Sequence, residues 1–341
     1  MKCSGCLREM ENEGYCKRCL KDLFEGRKVD HVLPFKSPYK EESDLYRERT
    51  KKLSISGVQV KYSMRLEDNG LVLTDKGGQY ILKPVPAGQF ANLDQAPANE
   101  HLTMQLAGQL FKITIAPNVI IHFSDGSPAY LVKRFDVKAD GSKYRQEDFA
   151  QIAQITEETH GKNYKYDLSY EEIGLLIKRN IATSAIELEK FLRLVLFNYI
   201  FSNGDAHVKN FSVIQTDDGD HVLTPAYDLL CTRIHSPSEA DMALLLFKDR
   251  FTEAYDAHGF YTYNDFLEFG QVLGIKESRV VKIIQEFDGK EERTDRIVDA
   301  SFLRADLKEF HKQTYKDKLK RLKIIYSRPK NTSEEALAQQ K

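Results

Sequence analysis

SNGDAHVKNF, residues 202–211, follows the apolar run ELEKFLRLVLFNYIF (187–201) and sets Asp205, His207, Lys209 and Asn210 close together. Two readings are open at this point. Asn203 and Gly204 are natural helix-stop residues, so the stretch is a polar turn closing a buried helix. Alternatively it is a loop built to hold a reacting group and a metal ion. The next residues bear on the choice, because FSVI (211–214) and HVLTPAYD (221–228) flank the turn TDDGD and read as a hairpin. Antiparallel pairing puts Asn210, at the start of the first strand, beside Asp228, at the end of the second, with Asp205 on the loop just before. One carboxylate and one amide form a hard-oxygen pair suited to magnesium, the rest of whose shell is left to water and phosphate.

The spacing DxxxxN is that of kinase catalytic loops, in which the Asp accepts or orients the nucleophile's proton and the Asn binds a metal. The fuller form GDxHxxN also occurs in lipid kinases and aminoglycoside phosphotransferases, so it indicates phosphoryl transfer without naming the acceptor. The upstream chain offers the other parts in kinase order. LSISGVQVKYSMRL, GLVLTD and GQYILKP alternate with a period of two around the turn signals EDNG and DKGG, a meander of antiparallel strands. Ser54, Ile55, Ser56 and Gly57 lie at its front, where a phosphate loop would be, although one glycine also fits a plain strand-entry turn. Lys83 in YILKP is placed to reach nucleotide phosphates, although a lone strand lysine is ordinarily a solvated edge residue. A helix over PANEHLTMQLAGQLF, capped by Asn99, carries Glu100, which could orient that lysine or serve the helix N-terminus. The strands NVIIHF and PAYLVKRF then lead into a hinge at LVKRFD (131–136). Beyond it QEDFAQIAQIT, SYEEIGLLIKRNI and ELEKFLRLVLFNYIF read as helices, as do NDFLEFGQVLG, ESRVVKIIQEF and a long basic helix through RLKIIY.

The whole chain has 341 residues, 41% hydrophobic, with a net charge of −1. That length buries a substantial core in two lobes, and the neutral balance gives no electrostatic case for nucleic acid. No apolar stretch approaches the roughly 20 residues of a membrane helix, so the expectation is a cytoplasmic protein with no membrane contact. The basic run KDKLKRLK reads as a solvated helix face. Cys3, Cys6, Cys16 and Cys19 form two CxxC pairs nine residues apart, a spacing that closes on one tetrahedral zinc ion. Disulfides are the alternative, disfavoured for a chain with no export signal. Cys231, among apolar neighbours, reads as a buried core thiol. The expected organisation is a zinc knuckle over 1–25, a linker or wrapping segment over 26–52, a sheet lobe over 53–135, a helical lobe over 136–326 and a disordered tail over 327–341. The fold class is α+β: a two-lobed, protein-kinase-like fold with a small antiparallel sheet lobe and a larger helical lobe.

The set SISGVQVK, YILKP, NEHLTMQLA, VKRFD, QEDFAQ, GDAHVKNFSV and LTPAYDLL resembles the HipA-type serine/threonine kinase toxins of bacterial toxin–antitoxin systems. The short form, HipT, whose amino-terminal subdomain is a separate small protein, is the nearer resemblance. It implies a HipA-like fold, ATP and magnesium as cofactors, Asp205 as catalytic base, Asn210 and Asp228 as magnesium ligands and Lys83 as the phosphate-contacting lysine. It further implies that Lys133, Arg134 and Phe135 form the hinge against adenine and that His207 and Lys209 line the phosphate site. Ser54 and Ser56 fall on the serines that become autophosphorylated in the family. The implied partners are a HipS-like subdomain protein and a HipB-like helix-turn-helix antitoxin, with DNA reached only through the antitoxin, and the implied substrate is an aminoacyl-tRNA synthetase. The chain departs from the long form in opening with a cysteine knuckle rather than that subdomain. A small-molecule or lipid kinase, or a non-catalytic pseudokinase acting as a repressor module, are the competing readings. The presence of every expected catalytic side chain argues against the last.

Overall fold

Period-two alternation builds the first sheet in the computed structural model, which describes residues 1–37 and 60–327. Strands β1 (Tyr62–Glu67), β2 (Gly70–Leu73), β3 (Tyr80–Pro84), β4 (Asn118–His122) and β5 (Pro128–Lys133) pair antiparallel in the order β2-β1-β3-β5-β4. The SISG loop (54–57) and the tail beyond 327 lie outside the described residues. Successive side chains face opposite ways. Tyr80, Leu82, Val119, Ile121, Ala129 and Leu131 therefore enter one buried cluster, while Ile81, Tyr130 and Val132 face the other.

The first face is covered by the amino-terminal segment. Tyr15, the helix Lys17–Phe24, Val29 and Leu33 pack on it, and the Tyr80 hydroxyl donates to the Leu23 carbonyl at 2.6 Å. Residues 31–35 run along β4: Leu33 N–H donates to His122 O at 2.7 Å and His122 N–H to His31 O at 2.9 Å. The first part of the expected linker is thus wall, not tether.

The second face meets the helix Ala96–Leu110, which is buried on almost every side. It begins three residues before Asn99, with Gln95 at the cap, so Asn99 is an interior residue whose amide is used elsewhere. A second sheet, β6 (Gln146–Asp148), β7 (Ser212–Gln215) and β8 (His221–Leu223), contains the expected hairpin. Its first strand corrects the reading of QEDFAQIAQIT as wholly helical. Gln146–Asp148 pair with β7, and Asp148 caps the short helix Phe149–Ile152 through a reciprocal capping box with Gln151. The helices Tyr170–Asn180, Ser184–Ile200, Tyr263–Val272, Glu277–Gln285, Glu291–Ala300 and Ala305–Leu322 complete the large lobe. The basic helix stops at Leu322, short of IIY. The chain passes between the lobes at 133–136, and among the contacts that join them is a parallel bridge at which Ala226 N–H donates to Thr114 O at 2.8 Å. Among the described residues no helix is long and apolar enough to cross a membrane.

Candidate active site

The helix Ser184–Ile200 delivers the loop that follows it. Its stop is made by Ser202, which takes the left-handed conformation at φ 53°, rather than by Asn203 or Gly204. Asn203 instead ties the loop together, accepting from Asp205 N–H at 3.3 Å and donating to the Asp228 carbonyl at 3.4 Å. Gly204 is required by close approach, since a Cβ there would lie 2.7 Å from the Ala240 carbonyl. Asp205, 4% exposed, accepts from the Tyr166 hydroxyl at 2.6 Å.

Asn210 and Asp228 meet as the hairpin requires, with Asn210 Nδ2 donating to Asp228 Oδ2 at 3.3 Å. Asp228 sits at φ 54°, a conformation that Asp tolerates better than most residues and that turns its carboxylate into the cleft. Lys83 is not a solvated edge residue: β3 is central in its sheet, and Lys83 is 5% exposed. Its ammonium donates to Glu100 Oε1 at 2.6 Å and pairs with Asp228. Burial opposes the charge on Lys83, but the Asp228 and Glu100 carboxylates outweigh it and hold its pKa above the ordinary value. Burial likewise works against ionisation of Asp228, and the Lys83 charge overcomes it, keeping that carboxyl below the usual range.

Three consecutive side chains of the helix Ala96–Leu110 have three separate tasks. Asn99 forms a two-way amide pair with the Cys231 backbone, at 2.9 and 3.0 Å, just beyond Asp228. Glu100 takes Lys83, and His101 Nε2 donates to the Gly5 carbonyl at 2.7 Å in the amino-terminal loop.

A cleft of about 300 Å³ opens between the lobes, lined by Lys83, Tyr130, Phe135, Lys209, Tyr227 and Asp228 among others. The Phe135 and Tyr227 rings stand 5.8 Å apart on one side of it. The N–H groups of Lys133 and Arg134 are already spent on Pro117 O and Gln79 O. The Lys133 ammonium turns to Glu25 at 3.8 Å, and Arg134 is held by Asp136. Of the three hinge residues, Phe135 alone presents its side chain to an aromatic face of the cleft. Lys209 reaches Asp148 at 3.2 Å. His207 is buried against Tyr166, and burial pulls its pKa down to about 4, so its ring is neutral. Tyr166, Tyr227, Asp148 and Lys61 were not singled out from the sequence. Lys61, Asp148 and Tyr227 lie within the quoted motifs SISGVQVK, QEDFAQ and LTPAYDLL without being picked out there, whereas Tyr166 carries no local signal because it arrives from a distant segment.

In the amino-terminal segment the four cysteine sulfurs converge, all within 4.8 Å of one another. Cys231 is buried, as expected.

Comparison with known proteins agrees with this architecture. The HipA-like C-terminal domain model matches residues 53–294. A Haemophilus influenzae protein provisionally named a kinase is 26% identical over 329 residues, covering 92% of this chain and 93% of that one. The serine/threonine-protein kinase toxin HipA of Shewanella oneidensis is 25% identical over 226 residues, covering 62% of this chain and 49% of the toxin. Among solved structures, a chain of the Shewanella oneidensis MR-1 complex of HipA, HipB and operator DNA aligns with a TM-score of 0.61 at 20% identity, covering 80% of this chain and 65% of that one. The likeness to that structure is one of fold. The chain thus spans nearly all of the Haemophilus protein but about half of the toxin. With the family model extending over most of its length and the kinase-like arrangement of lobes in place, this chain belongs to the HipA-like C-terminal domain family.

Proposed function

We propose that this protein is an ATP- and magnesium-dependent serine/threonine protein kinase that acts as the toxin of a HipBA- or HipBST-like system, of the short HipT form. The observation that carries the proposal is the convergence of Lys83, Glu100, Asn210 and Asp228, drawn from four separate segments, beside a cleft with Asp205 on the adjoining loop. Asp205, fixed by Tyr166, accepts the proton of the attacking hydroxyl, and Lys83 and Lys209 bring positive charge to the phosphates. Phe135 and Tyr227 offer flat surfaces for a purine.

Asn210 and Asp228 fit a magnesium ion. The two side chains are neighbours, Asn210 Nδ2 lying 3.3 Å from Asp228 Oδ2, and between them they offer an amide oxygen and a carboxylate, the hard donors that magnesium takes. Such an ion, when bound, neutralises charge that develops on the transferring phosphoryl group.

The remaining assignments rest on family resemblance. The substrate is an aminoacyl-tRNA synthetase, and the partners are a HipS-like protein and a HipB-like antitoxin, the latter consistent with the company HipA keeps in the Shewanella complex. Ser54 and Ser56 are the autophosphorylation sites; a phosphate there adds nearly two negative charges to the loop that must approach the triphosphate. The test is incubation with labelled ATP, magnesium and a bacterial lysate. One labelled protein band, identified by mass spectrometry, supports the reading. A labelled small molecule, or no transfer at all, overturns it.

A further inference from the structure

We propose that Cys3, Cys6, Cys16 and Cys19 bind one zinc ion, and that the loop so fixed clamps the helix that presents Glu100 to Lys83. The second half rests on the reading of Lys83 and Glu100 as part of a nucleotide site.

The sulfur geometry is that of a metal tetrahedron. Cys3 and Cys19 are 3.7 Å apart, as are Cys6 and Cys16. A tetrahedral ion with Zn–S bonds of about 2.3 Å has edges of about 3.8 Å, whereas a disulfide needs about 2.05 Å. Each close pair takes one sulfur from each CxxC, so neither CxxC is poised to close on itself. Gly5 makes room for the cluster, because a Cβ there would meet Cys19 Sγ at 2.7 Å. Binding turns the four thiols into thiolates and releases their protons to solvent. Four protein sulfurs leave no open position, so the ion is structural rather than catalytic.

The loop between Cys3 and Leu7 spends three successive carbonyls on the sheet lobe. Ser4 O accepts from Ile120 N–H of β4 at 2.9 Å, Gly5 O from His101 Nε2 at 2.7 Å and Cys6 O from Gln109 Nε2 at 3.1 Å. Leu7, next in the chain, is buried in the large core. Two of the three bonds hold the helix Ala96–Leu110, one of them at the residue immediately after Glu100. Metal loss frees the loop and with it the helix, so Glu100 no longer fixes Lys83. His101 is a positioning residue in this scheme.

The test uses the full chain purified without chelator. Elemental analysis gives about one zinc per chain; iron, or no metal, overturns the site. Cys3→Ser with Cys19→Ser loses the zinc. His101→Ala keeps the zinc but exchanges the amides of residues 96–110 faster and binds ATP about five- to tenfold more weakly, the scale of one buried hydrogen bond. His101→Gln, which retains a donor, restores both. A zinc-loaded His101→Ala protein with native exchange and native ATP affinity overturns the clamp. If the wild type binds zinc but no ATP, the nucleotide reading fails, and faster exchange of 96–110 on zinc extraction or in His101→Ala supports the clamp, while unchanged exchange overturns it.

Discussion

Replacing Lys83 with Met removes the cation shared by two carboxylates. Lys83 and Glu100 are 5% and 4% exposed, so water relieves little of the repulsion that remains between Glu100 and Asp228. Breaking a buried ion pair from one side costs about 3–5 kcal/mol. At roughly 2–4 °C per kcal/mol for a large domain, thermal unfolding of Lys83→Met falls by on the order of 10 °C. Replacing Glu100 with Leu in the same protein removes one stranded charge, and well-packed apolar substitutes for buried pairs are often neutral. The double variant therefore melts above the single one, although both lose nucleotide binding. Differential scanning calorimetry reads the melting and isothermal calorimetry the nucleotide. A Lys83→Met protein that melts with the wild type, or a double variant that melts below Lys83→Met, refutes the account of Lys83 as a shared buried counterion.

Other consequences are sharper in a single assay. Asp205→Asn keeps an acceptor for Tyr166 and melts with the wild type, but it loses phosphate incorporation by at least about a hundredfold, the scale of a general base. Gly204→Ala forces the loop that carries Asp205 away from Ala240, so on the proposed reading it transfers phosphate more slowly while its far-ultraviolet circular dichroism is unchanged. His311 is buried with neither ring nitrogen partnered, and burial draws its pKa down to about 4. The unfolded chain therefore takes up a proton near pH 6.5 that the folded chain resists until about 4, so stability is present above 6.5 and drains as the pH falls. The loss is about 3 kcal/mol at most, and His311→Leu, followed by denaturant titration at pH 7 and pH 5, removes that part of the slope.

The site was legible because its chemistry is concentrated. Asp205 and Asn210 share one loop, and hairpin pairing, a local rule, brought in Asp228. Lys83 and Glu100 were also found, but not their burial: whether a strand is central or at an edge depends on what pairs with it, and Lys83 lies between segments whose order is set at long range. The same limit explains Asn99. Its residue type is that of a cap, yet the amide is worth more against the Cys231 backbone inside the protein. Tyr166 has no signal in the sequence, because a tyrosine 39 positions from Asp205 becomes its partner only when the lobe closes around it. The amino-terminal cysteines were visible as a metal pattern, but their place between sheet and helix was not, since nothing in CxxC says what the loop's carbonyls will touch.

The lobes meet at the chain segment 133–136, at the hydrogen bond from Ala226 to Thr114 and at several places besides. The Asn99–Cys231 pair and the Lys83–Asp228 ion pair cross between them as well, and Ala98, Leu102, Met104 and Leu106 of the helix Ala96–Leu110 lie in one apolar cluster with Phe197 and Phe201 of the large lobe. Swinging the lobes apart as rigid bodies would expose that shared core at roughly 25 cal/mol for each Å². The helix therefore travels with the large lobe, as a keel does with its hull.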